Sequence, residues 1–105
     1  MVNNSMAVNY SSVAEKVFKV LKGSGLNIQM FDAQDGKELS NPQQSRFFYV
    51  ADPNLMVNLD DQNQELKVHK GPENIAVLSD LLKSLRNLAK DNLLDFDLRE
   101  FGREI

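Results

Sequence analysis

The stretch that decides the fold runs from Gly71 to Gly102, GPENIAVLSDLLKSLRNLAKDNLLDFDLREFG. Its first half has helical period. Leu78, Leu81, Leu82, Leu85, Leu88 and Ala89 fall within one arc at ~100° per residue, and Ile75 extends that arc towards the N-terminus. Gly71 and Pro72 have the chemistry of an N-cap and a first helical residue, and Glu73 would sit at the positive end of the dipole. The spacing therefore predicts a helix from about Pro72 to Lys90. After Asp91-Asn92 the period drops to two. Leu94, Phe96 and Leu98 alternate with Asp95, Asp97 and Arg99, which predicts a half-buried strand over Leu93–Arg99. About two residues join helix to strand, so the strand turns back onto the core that the helix covers.

The rest of the chain supplies the surface on which this pair packs. Residues 1–10 are Asn-rich and aperiodic and are expected to form a flexible arm, with the domain spanning 11–105. Ser12-Val13-Ala14-Glu15 matches a capping box. Val13, Val17, Val20 and Leu21 share a face, with Phe18 at its edge and Lys16, Lys19 and Lys22 opposite. Gly23 and Gly25 offer stops, so a first helix is expected over Ser12–Lys22. Short alternating or apolar runs follow at Leu26–Asp32, Lys37–Leu39, Arg46–Ala51, Leu55–Leu59 and Leu66–Val68. Asp35-Gly36 and Asp52-Pro53-Asn54 mark turns between them. Strands grouped in the middle with helices towards the ends predict an α+β fold. The expected form is an antiparallel sheet of four to five strands with two helices on one face, in the order α-β-β-β-β-α-β. The expected core includes Val17, Phe18, Val57, Leu59, Leu78, Leu82, Leu85, Phe96 and Leu98.

Composition narrows the function classes. The 105 residues suit one domain. With no cysteine, disulfides, thiolate metal sites and cysteine nucleophiles are excluded. That fits the host cytoplasm or a virion. The formal net charge of −3 gives no global attraction to nucleic acid or an anionic membrane. No apolar run approaches ~18 residues, so no spanning helix is expected.

No motif points to catalysis. His69 is the single histidine and has no nucleophile in its sequence context. Asp32-Ala33-Gln34-Asp35-Gly36 and Asp60-Asp61-Gln62-Asn63 lack the alternating ligands and distal Glu of a calcium loop, and read as hairpin turns. Gly23-Ser24-Gly25 follows a helix, which is the wrong context for a phosphate loop. No enzyme activity, metal or cofactor is expected. Two features suggest a surface instead. Arg46-Phe47-Phe48-Tyr49 puts Phe47 and Tyr49 on one face of a strand and Phe48 on the other. Base stacking on such a sheet is conceivable chemistry, but a buried strand or a protein interface accounts for the run. Phe48, or the pair Ile28 and Met30, is expected on the uncovered face. The second feature is the basic stripe Lys83, Arg86 and Lys90, which reads as a solvated flank covering the rim of the core. Together Arg46, Phe48, Lys83, Arg86 and Lys90 are the candidate interaction surface. The expected partner is a protein or a second copy in a homodimer. Nucleic acid bound through Arg46, Lys83, Arg86 and Lys90 is the alternative.

The run Leu85-Arg86-Asn87-Leu88-Ala89-Lys90 with LDFDLREFGREI from Leu94 to Ile105, and Arg46-Phe47-Phe48-Tyr49-Val50 with Pro53-Asn54-Leu55-Met56-Val57, resembles segments of tailed-bacteriophage proteins from environmental genomes. The resemblance covers the last two-thirds of the chain. It implies a viral origin and a structural or assembly role, and carries no catalytic residues with it.

Overall fold

The computed structural model describes residues 8–32, 35–72 and 76–101. Helix α1 spans Tyr10–Gly23, and a left-handed glycine lies two residues past its end. Gly25 has φ +79, which turns the chain so that the Leu26 N–H donates to Leu21 O at 3.4 Å, beside the Gly25 N–H donating to Lys22 O at 2.9 Å. Three short strands follow: β1 (Gln29–Phe31), β2 (Glu38–Leu39) and, after a single 3-10 turn at Pro42–Gln44, β3 (Phe47–Val50). Then come β4 (Leu55–Asp60), β5 (Glu65–Lys70), α2 (Ala76–Asp91) and β6 (Asp95–Glu100). All six strands form one sheet in the order β2-β1-β3-β4-β5-β6.

The α+β class is as the sequence predicts. The strand arrangement is not. Among the described residues there are six strands, because the short run at Lys37–Leu39 and the run at Leu66–Val68 both pair. The sheet is mixed. Every pairing from β2 to β5 is antiparallel, but β6 lies parallel to β5, with Glu65 opposite Asp95 and Lys70 opposite Glu100. Parallel neighbours need a crossover, and α2 is that crossover.

Burial alternates along the strands, and one face carries the core. Phe48, Val50, Leu55, Val57, Leu59, Leu66 and Val68 are buried there with Val13, Val17 and Leu21 of α1 and Leu78, Leu81, Leu85 and Leu88 of α2. Both helices therefore cover the same face. Each of these Leu side chains contributes roughly 1.5–3 kcal/mol relative to exposure.

Three local expectations need correction. Asn9, not Ser12, caps α1: its Oδ1 accepts the Ser12 N–H at 3.1 Å, so the helix starts at Tyr10 inside the stretch read as an arm. Val8 also packs on the core, while residues 1–7 lie outside the described residues. Phe48 is fully buried, because its parity within β3 matches Val57 across the ladder, and Met30 opposite it is buried too. Ile28 is half-buried against the same core. Leu98 is 37 % exposed rather than core, since β6 is an edge strand of the sheet. The expected helix start at Pro72 precedes residues 73–75, which lie outside the described residues. Gly71 donates its N–H to Asn54 O at 2.9 Å. At the other end of α2, Leu93 takes the left-handed conformation (φ 63) that glycine usually fills.

Candidate interaction surface

The face opposite the helices is built by register. Residues directly opposite across a ladder share a face. One row runs Gln29, Tyr49, Met56, His69 and Arg99; the next runs Phe31, Phe47, Asn58, Lys67 and Asp97. The two rows divide chemically. Over β1, β3 and β4 they place Phe31, Phe47, Tyr49 and Met56 together, all partly exposed. Over β5 and β6 they are charged. Lys67 Nζ lies 3.3 Å from Asp60 Oδ2 and 3.7 Å from Glu65 Oε1, and Arg99 Nε lies 3.0 Å from Asp97 Oδ2. His69 sits at the boundary and stacks on Phe101, with ring centroids 5.7 Å apart.

The aromatic patch opens at one end into a groove of ≈ 570 Å³ lined by Phe47, Asn58, Asp32, Asp60, Asp61 and Arg46, among others. Three carboxylates and one guanidinium make it acidic. Arg46 is committed to structure: Nη1 donates to Gln43 O at 3.0 Å and Ser45 O at 2.8 Å, and Nε lies 3.6 Å from Asp61 Oδ2. Asp60 ties the β4–β5 hairpin. Asn63 donates to it through its side-chain amide (2.8 Å) and its backbone N–H (3.1 Å), Gln62 through its backbone N–H (3.1 Å), and Lys67 lies close by. The Asn63 hydrogen bonds are the chief reason its carboxyl is held down at about 2, because they favour the ionised form.

The sequence-predicted site residues do not converge. Phe48 is in the core. Arg46 is on the open side at the groove. Lys83, Arg86 and Lys90 are exposed on α2, on the helix side of the sheet. The Arg86 guanidinium lies 5.2 Å from the centroid of the Phe96 ring, so its stem and charge cover a half-buried aromatic, as expected of a core rim. Lys83 and Arg86 flank a groove of ≈ 230 Å³ with Leu78, Leu82 and Leu98 at its base. Lys70 is buried beside it, with Nζ 3.4 Å from Glu100 Oε2 and donating to Gly71 O at 3.0 Å. Sequence reasoning missed Phe31 and Met56 as open-face residues. The signal existed in the parity of β1 and β4, but only the strand register joins them to Phe47 and Tyr49.

Among the described residues no three His, Cys, Asp or Glu side chains come together to hold a metal ion, and no helix is long and apolar enough to cross a membrane. No protein-family model, curated protein or solved structure matches the chain.

Proposed function

We propose that this is a non-enzymatic interaction domain with a structural or assembly role, phage-encoded on the resemblance above, which docks a protein partner on the open face of its sheet. The observation that carries this reading is the cluster Phe31, Phe47, Tyr49 and Met56 on the face without helices. Large apolar side chains left together at a surface mark association sites. The acidic groove beside Phe47 specifies the partner's chemistry: an apolar or aromatic anchor flanked by Lys or Arg.

The nucleic-acid reading needs cations and aromatics on one surface. Here the aromatics lie beside Asp32, Asp60 and Asp61, which repel phosphate, while Lys83 and Arg86 lie on the other side of the sheet.

The test is affinity capture from host extract with the wild-type chain and a Phe47→Ser/Tyr49→Ser variant of matched circular dichroism. A protein retained by the wild type and lost from the variant supports the reading. Equal retention by both, or retention of nucleic acid alone, overturns it.

A further inference from the structure

Beyond the open face, the two ends of the sheet differ. The β2 edge has two residues, too few to recruit another strand. The β6 edge has six, and among the described residues no strand lies beyond it. A long unpaired edge is a template for strand addition unless its side chains forbid pairing. The direction of the β6 peptide groups follows from the ladder to β5. Asp95 N–H donates to Gln64 O at 3.0 Å and Phe101 N–H to Lys70 O at 2.7 Å. In a parallel ladder alternate residues bond the same neighbour. Asp95, Asp97, Arg99 and Phe101 therefore face β5, and the N–H and C=O of Phe96 and Leu98 point outwards.

We infer that the occupant of this edge is a second copy of the chain, paired β6 to β6 antiparallel about a two-fold axis at Leu98. The sequence of the edge selects both partner and register. In an antiparallel pair opposed residues share a face. A dyad at Asp97 or at Arg99 sets like charges opposite each other, and a dyad at Phe96 sets Asp95 opposite Asp97. A dyad at Leu98 sets Asp97 opposite Arg99 of the second copy, twice. It also makes Leu98 the hydrogen-bonded pair, which its outward peptide groups require. Asp97 and Arg99 then occupy the non-hydrogen-bonded sites, where opposed side chains come closest. Within one chain Arg99 Nε already lies 3.0 Å from Asp97 Oδ2. The second copy closes the two pairs into a ring of alternating charge.

The helix side agrees. Leu98, 37 % exposed in one chain, meets its own copy beside the groove floored by Leu78 and Leu82. Glu100 of the second copy comes opposite Phe96, beneath the Arg86 guanidinium, which sets a carboxylate against the basic flank of α2. The product is one continuous sheet of twelve strands, six from each chain. Its two open faces lie on the same side.

Sedimentation equilibrium from about 10 to 300 µM tests this, since mass action makes self-association concentration-dependent. The expected mass rises from one chain to two. Asp97→Arg and Arg99→Asp each set like charges opposite, and each should weaken the dimer by about tenfold or more. Mixed in equal amounts, the two variants restore complementary charge at both sites and should form a heterodimer. Leu98→Pro removes an outward N–H without touching the β5 ladder and should be monomeric with its fold retained. A monomer throughout the range, a dimer indifferent to both charge reversals, or no recovery on mixing overturns the inference. None of these results bears on docking at Phe47 and Tyr49, which the capture experiment reads separately.

Discussion

Leu85→Ala removes three carbon atoms from a side chain with no exposed surface, at the centre of the α2 face. At ~0.8 kcal/mol per buried carbon the lost transfer energy is about 2.4 kcal/mol. If half of the roughly 80 Å³ vacated persists as a cavity, at about 24 cal/mol per Å³, a further ~1 kcal/mol is lost. The expected total is ~3–3.5 kcal/mol, a large share of the ~5–15 kcal/mol that holds such a domain together. Urea unfolding followed by far-UV circular dichroism should show a lower midpoint with an unchanged slope. The melting temperature should fall by roughly 12–25 °C. Leu98→Ala, measured where the chain is monomeric, is the internal control. Its side chain is 37 % exposed, and its loss should cost about 1.5 kcal/mol, with no cavity left behind. A Leu85→Ala cost below about 0.5 kcal/mol, the range of surface substitutions, refutes the packing described for α2. So does a Leu98→Ala cost that exceeds it.

The two aromatics at adjacent positions of β3 should behave oppositely: Phe48→Ala should cost roughly 3–5 kcal/mol in the same assay, and Phe47→Ala clearly less. Leu93→Gly should raise stability by about 0.5–1 kcal/mol, because a left-handed leucine that is 59 % exposed carries strain and makes little contact. Asp60 has its carboxyl pKa lowered on folding, from 3.8 towards about 2. Its contribution is therefore fully present above the unfolded value and is lost as pH falls through the folded one. Urea midpoints of Asp60→Asn should lie below wild type near neutral pH, and the gap should close as pH approaches about 2. Fluorescence anisotropy should give duplex and single-stranded nucleic acid affinities weaker than about 10⁻⁵ M at physiological salt, unchanged in a Lys83/Arg86/Lys90 triple alanine variant.

The period of Leu78 to Ala89 and the alternation of Leu94 to Leu98 were enough to predict α2 and β6. The alternation at Leu55–Leu59 did the same for β4. Local patterns of this kind record which side of an element is apolar. They do not record what lies beside it. The parallel pairing of β6 with β5 depends on how α2 crosses the sheet, and nothing within LDFDLRE encodes that. Phe48 shows the same limit. Its parity against Phe47 and Tyr49 was legible, but which parity faces the helices is decided by Met30 and Val57 across two ladders. Arg46 and Arg86 look equivalent as letters. One is tied to two carbonyls at a loop and the other spread over Phe96. The candidate interaction surface therefore emerged from register rather than from any single run of residues.

The parallel pairing also sets an order of events in folding. Residue Glu65 meets Asp95 and Lys70 meets Glu100, an offset of thirty residues at every rung, since 95 − 65 and 100 − 70 are both 30. The hairpin of β4 and β5 joins Asp60 to Glu65 across five, since 65 − 60 is 5. Closing the longer loop carries a larger entropic cost, and contacts that reward it exist only once α2 has docked. The meander from β3 to β5 can thus assemble in the transition state while β6 is still unattached. Substitutions on β6 should leave the folding limb of a chevron plot almost unmoved and steepen loss through the unfolding rate, whereas those at Val57 or Leu66 should slow folding itself. The last strand to arrive is thus the edge strand on which the proposed second copy would pair.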